Sequence, residues 1–146
     1  MIVPDANVLL YAVNSASDQH REAAAALTAA YEAPRGVGFA WVALLAFVRL
    51  STRAGIFPKP LPLDASLRVV GHWLAHPSAQ VVHPGERHAE LLGRLLRSVG
   101  VAGNLTTDAH LAAIALEHDA AILSFDRDFA RFADVKCVTP ERLTSG

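Results

Sequence analysis

The sequence predicts an α/β sandwich of three layers, α/β/α, around a mostly parallel sheet of four to five strands. Short apolar runs of strand length alternate with helix-length segments along the chain, the pattern that βαβ units leave in a sequence. The run Ala121–Phe125 is apolar without the in/out alternation of a half-exposed strand, as a strand covered on both faces must be. At 146 residues, 52% hydrophobic and mean hydropathy +0.28, the chain has core enough for one compact domain spanning 1–146. No repeat, linker or low-complexity segment divides it.

In order, Met1–Pro4 is a short apolar strand ending at Asp5, and Asn7–Val13 starts a helix at once. Asp18–Tyr31 is a second helix, with Asp18 as its expected cap and a face of alanines suited to close packing. Pro34, Gly36 and Gly38 break it, and Val37–Val42 reads as a strand running into the helix Ala43–Ser51. Gly55–Pro62 carries three prolines and must be a stiff loop. Asp64–Ala75 is a helix with Asp64 as cap, and Gln80–His83 is a strand. Arg87–Val99 is a helix with Leu91, Leu92, Leu95 and Leu96 inward, ended by Gly100 and Gly103. Asp108–His118 is amphipathic, Ala121–Phe125 and Val135–Val138 are strands, and Pro140 opens a short terminal helix.

Composition excludes several classes. No apolar run reaches the ~18 residues that cross a bilayer, and the N-terminus lacks a signal-peptide pattern, so a cytoplasmic protein with no membrane contact is expected. Cys137 is alone, which leaves no internal disulfide and no thiolate metal site. Net charge is −1, so no global field announces nucleic acid, although 11 of the 13 basic residues are Arg, the fork suited to phosphate. A compositional bias of the coding DNA is the favoured account of that excess.

The segment 104–132 carries the chemistry. Ten residues of helix from Asp108 carry the chain roughly 15 Å away, and five residues of strand return it roughly 16 Å. Asp126 therefore comes back to the level of Asp108. Asp5 ends the first strand, and in a parallel sheet with right-handed crossovers all three carboxylates reach one edge. Such a group repels itself unless a cation relieves it, and oxygen-only ligands suit Mg²⁺, with Mn²⁺ as substitute. The chemistry that fits is phosphodiester hydrolysis. Capping is the competing account of Asp108 and Asp126, each at a helix start, but three acids at one edge exceed what capping needs.

The blocks DANVLLYAV, NLTTDAHLAAIA and SFDRDFARF resemble, in this order, the acidic blocks of PIN-domain nucleases, specifically the VapC-type toxins of bacterial toxin–antitoxin (VapBC) pairs. AWVALLAFVRLSTR is similar to the family's second helix. The resemblance spans nearly the whole chain. It implies a Mg²⁺-dependent endoribonuclease, a homodimer silenced by a cognate VapB-type antitoxin and acting on RNA. Asp5, Asp108 and Asp126 match the metal-site and catalytic carboxylates, Asp128 a further acidic ligand, Asn7 a supporting polar position and Ser124 the small hydroxyl before the last block. One departure stands out: where the family often has Glu in L-L-E-F, this chain has Ala46. Three readings of Ala46 stay open: Asp128 or an ordered water fills the gap, the site binds one metal, or the chain is a PIN-like domain that binds RNA or a partner without cutting.

Among the remaining residues, Arg49 with Arg53 and Arg127 with Arg131 have i, i+4 spacing and are candidates to hold an RNA backbone, solvated surface charge being the alternative. His72 and His76 share a helix face but lack a third ligand, His83 and His88 read as surface residues, and His110 points away from Asp108. Phe57, Trp73 and the proline loop are the candidate dimer surface. Receiver-domain and haloacid-dehalogenase readings fail, the first for want of a suitably placed Lys, the second because Asn7 stands where an Asp is needed.

Overall fold

In the computed structural model, which describes residues 1–100 and 102–146, five strands of three residues each form one sheet. They are β1 (Ile2–Pro4), β2 (Val37–Phe39), β3 (Ala79–Val81), β4 (Ala121–Leu123) and β5 (Lys136–Val138). All pair in parallel in the order β3-β2-β1-β4-β5, with Val3 opposite Ile122 and Ile122 opposite Cys137. The three inner strands, β2, β1 and β4, hold register by burying both faces. Val3 and Ile122 lie in one apolar cluster, Leu123 and Phe39 in the other.

The first cluster is covered by α5 (His88–Val99) and α6 (Thr106–Glu117). The second is covered by α1 (Ala6–Val13), α2 (His20–Glu32), α3 (Trp41–Ser51) and α4 (Leu63–Ala75), with Leu143 of α7 (Pro140–Ser145) at its margin. This is the expected three-layer sandwich, with every described strand parallel. The first-run strands step outward from β1 on one side and β4 and β5 lie on the other, so the order reverses between β1 and β4. Open parallel sheets bind ligands beyond the strand ends at that reversal.

Two glycines are imposed by close approach. Gly36 enters β2 at φ +65°, and a Cβ there would collide with the Ser78 carbonyl oxygen. A Cβ on Gly38 would stand 2.7 Å from the Met1 Sδ and 2.8 Å from Val82 Cγ1.

Several element ends differ from expectation. β2 stops at Phe39 and α3 begins at Trp41, so the apolar run to Val42 is shared between strand and helix; buried runs of both kinds look alike in sequence. Asp18 is not a cap, because the turn before α2 is closed by Ser17, whose hydroxyl accepts from Gln19 N–H and whose carbonyl accepts from His20 N–H. Asp64 lies inside the first turn of α4, which starts at Leu63 behind Pro62, and so acts on the helix dipole rather than as cap. Phe57 and Trp73 are each only 6% exposed and belong to the core, so neither offers a dimer surface. Among the described residues, the exposed large apolar side chains are Trp41, Leu45, Ile56, Leu63 and Leu67. Among the described residues, no helix is long and apolar enough to cross a membrane.

Candidate metal centre and active site

Asp5 follows β1 directly, and its backbone N–H donates to the Leu123 carbonyl of β4 at 2.9 Å, tying the two strand ends together. Its side chain caps α1, Oδ1 accepting from Ala6 N–H at 2.8 Å, while Oδ2 accepts the Ser124 hydroxyl at 2.8 Å. Ser124, buried just past β4, also accepts from Asp126 N–H at 2.9 Å and from Asn7 Nδ2 at 3.1 Å. Asn7 Oδ1 accepts from Phe125 N–H at 3.3 Å. The Ser124 hydroxyl thus joins both acidic blocks across 119 residues of sequence, and Asn7 supports Asp5 through it.

Asp126 caps the 3₁₀ turn Arg127–Arg131, its Oδ1 accepting from Asp128 N–H at 2.8 Å. Asp108 is no cap: α6 starts two residues earlier, at Thr106, and Asp108 sits in the first turn without a capping bond. Capping therefore accounts for part of Asp5 and Asp126 and none of Asp108. One carboxylate oxygen each from Asp108, Asp126 and Asp128 lie within 4.8 Å of one another. Asp5 is not one of that group, but its charge acts on Asp108 and that of Asp126 acts on it.

The electrostatics follow from this crowding. Burial is the largest cause raising the Asp108 pKa, and the charges of Asp5, Asp126 and Asp128 add to it, pushing it up to about 6. Asp5 is also raised, first by burial, with the Ser124 and Ala6 hydrogen bonds opposing and the Asp126 charge adding. Such a group is short of positive charge. Between Asp5 and Asp108 lies a depression of about 40 Å³ whose remaining wall includes Val42, Ala43, Ala46, Thr107 and Leu111. Ala46 therefore stands at the site, presenting a methyl group to it. The larger groove, about 350 Å³ beside Tyr31 and Trp73, gathers no carboxylates.

The candidate arginines divide. Arg49 is exposed on α3, along one stripe with Trp41 and Leu45. Arg53 is off that helix: α3 ends at Ser51 as the Thr52 hydroxyl bonds back to the Val48 carbonyl at 2.7 Å, so the pair shares no helix face. Arg127 and Arg131 are both exposed beside the last acidic block. A 3₁₀ turn has about 3.0 residues per turn, so four residues separate them by about 120°. His88 is also not the surface residue expected: its Nε2 meets His110 Nδ1 at 2.8 Å between α5 and α6, and its Nδ1 is buried 3.7 Å from Glu117. Ala46 was singled out by sequence, whereas Thr107, Val42, Ala43 and Leu111 were not read as site residues, and their only signal is adjacency to Asp108 and to Ala46.

The acids thus collect at the strand-order reversal of a parallel sheet, where β1, β4 and α6 converge. The chain belongs to the PIN-domain family, whose model matches residues 2–135. Within it, the chain is 52% identical over 143 residues to Ribonuclease VapC37 of Mycobacterium tuberculosis, covering 98% of this chain and 99% of that protein. It is 42% identical over 142 residues to Ribonuclease VapC33 of the same species, covering 97% and 99%. Among solved structures, the sarcin-ricin-loop-cleaving toxin VapC20 of M. tuberculosis superposes with TM-score 0.68 at 18% identity, over 93% of this chain and 99% of that one. VapBC-1 of Haemophilus influenzae gives 0.68 at 17%, over 97% and 99%. At those identities the structures speak to the fold.

Proposed function

We propose that the protein is a Mg²⁺-dependent endoribonuclease, the toxin of a toxin–antitoxin pair, that hydrolyses RNA phosphodiester bonds at Asp5, Asp108 and Asp126. The observation that carries this is the convergence of Asp108, Asp126 and Asp128 oxygens within 4.8 Å beside Asp5. The donor set is all oxygen, which fits Mg²⁺ or Mn²⁺. When bound, a divalent cation offsets the repulsion among the carboxylates and supplies Lewis acidity toward the phosphate.

The chain's own residues do the positioning. Ser124 holds Asp5 and the backbone of Asp126 at a fixed separation, and Asn7 keeps the Ser124 hydroxyl turned toward Asp5. The Asp128 N–H fixes the Asp126 carboxylate. Arg127 and Arg131, exposed on the same turn, offer cationic forks for flanking phosphates. Relatives named Ribonuclease VapC and folds solved as VapBC complexes support RNA as substrate and a VapB-type antitoxin as partner. A homodimer belongs to the same proposal, on a surface other than Phe57 and Trp73.

The test is incubation of a mixed RNA pool with purified protein in Mg²⁺ or in EDTA, beside Asp108→Asn. Cutting confined to wild type with metal supports the proposal. Equal cutting by the variant, or cutting in EDTA, refutes it.

A further inference from the structure

We infer that Thr107 is a further catalytic residue, whose hydroxyl holds the attacking water in the depression between Asp5 and Asp108. The inference rests on the hydrolytic reading above and names the seat of its nucleophile. Apart from the carboxylates of Asp5 and Asp108, Thr107 is the one lining residue whose side chain carries a polar atom, the rest being Ala, Val or Leu. Ionised carboxylates only accept hydrogen bonds, whereas a hydroxyl also donates. Two acceptors and one donor around a small space are the complement of a water molecule, which donates twice and accepts. A phosphate oxygen placed there would instead meet two negative charges and be repelled. The space is about 40 Å³ and half open, where one water needs about 10–15 Å³. A water therefore enters from solvent and has room to advance on a phosphate at the open side.

The groups that would hold it are available. Each Asp5 oxygen already accepts one hydrogen bond, from Ala6 N–H and from the Ser124 hydroxyl, and keeps a lone pair for the water. Thr28, Thr52 and Thr144 turn their hydroxyls back onto helix carbonyls, and Thr139 caps α7 with its own. Thr107 is exposed in the first turn of α6, and its hydroxyl bonds to none of the described residues. By donating to one lone pair of a water whose hydrogens point at the carboxylates, it leaves the other lone pair for phosphorus. The water oxygen bonds to phosphorus as the bond from phosphorus to the leaving ribose oxygen breaks. The water releases one proton to solvent, and the leaving oxygen takes one up from it.

The experiment compares wild type with Thr107→Val and Thr107→Ala, which lack the hydroxyl, and with Thr107→Ser, which keeps it. It reads single-turnover cleavage of an end-labelled RNA pool in saturating Mg²⁺, affinity for the same RNA in EDTA, Mn²⁺ binding by equilibrium dialysis, and melting by circular dichroism. The Val and Ala variants are expected to cut about tenfold slower or worse, with RNA affinity and Mn²⁺ binding within about twofold of wild type, while Ser cuts within about threefold. Folded Val or Ala variants that cut at the wild-type rate overturn the inference. So does Ser as slow as Val, or slower cutting matched by an equal loss of RNA or Mn²⁺ binding. Wild type that cuts no RNA in Mg²⁺ sinks the hydrolytic reading itself, so the two failures are distinguishable.

Discussion

Replacing Asp108 by Asn should stabilise the metal-free protein while removing its activity. The Asp108 pKa is pushed from 3.8 up to about 6 by burial and by three neighbouring carboxylates. A raised folded-state pKa means that between these values the fold holds a proton the unfolded chain has released. Stability therefore falls as pH rises across that window, and the penalty is complete above about pH 6. Two pKa units correspond to about 3 kcal/mol, but Asp108 is half-exposed, and solvent screening reduces this to about 1–2 kcal/mol. For a domain of this size that is about 2–8 °C in melting temperature. The assay is a circular-dichroism melt in EDTA of wild type and Asp108→Asn at pH 7.5 and pH 4. Asn should melt higher at pH 7.5, and the difference should vanish at pH 4, where the folded wild type is already protonated. Saturating Mg²⁺ should reverse the order at pH 7.5, since a ligand at 100 times its Kd adds about 2.7 kcal/mol to the protein that binds it. An Asn variant that melts at or below wild type at pH 7.5 in EDTA, or keeps its advantage at pH 4, refutes the electrostatic reasoning.

Ser124→Ala removes the hydroxyl shared by Asp5, Asn7 and the Asp126 N–H. It should cost about 1–3 kcal/mol in urea unfolding through the groups left unpaired and slow RNA cleavage, whereas a Ser124→Ala that cuts at wild-type rate would show that the hydroxyl does not position the acids. Gly36→Ala should lower stability by more than the ~1 kcal/mol of a left-handed backbone alone, because its Cβ meets the Ser78 carbonyl; a thermal melt within a degree of wild type contradicts the packing described for β2. Phe47→Ala, at a fully buried position against Trp73, should cost about 3–5 kcal/mol by denaturant titration.

What could be read from the sequence was what depends on periodicity and on the handedness of crossovers. The alternation of strand and helix leads to a parallel sheet, and a parallel sheet sends Asp5 and Asp126 to one edge whatever the order of its strands. The order β3-β2-β1-β4-β5, which puts β1 beside β4, was beyond reach, because nothing local in a three-residue apolar strand names its neighbour. The strand–helix boundary was misread at Val42, which continues an apolar run yet belongs to α3; the end of α3 at Ser51 agrees with the reading, and the error was to place Arg53, beyond that end, on one helix face with Arg49. His88 read as a surface residue because its partner His110 lies 22 positions away on the next helix. Within the candidate site, the convergence of acids on one edge was legible from their blocks, but the Ser124 hydroxyl that binds Asp5 to Asp126 spans 119 positions and only folding reveals it.

The central claim is that the carboxylates at the junction of β1, β4 and α6 cut RNA with the help of a divalent cation. Its most direct test is the single-turnover cleavage rate of an end-labelled RNA pool against Mg²⁺ concentration, for wild type and for Asp126→Asn with its fold confirmed by circular dichroism. The account predicts a wild-type rate that rises from zero and saturates with Mg²⁺, and no metal-dependent cleavage by the variant. A rate indifferent to Mg²⁺, or equal in the two proteins, contradicts it.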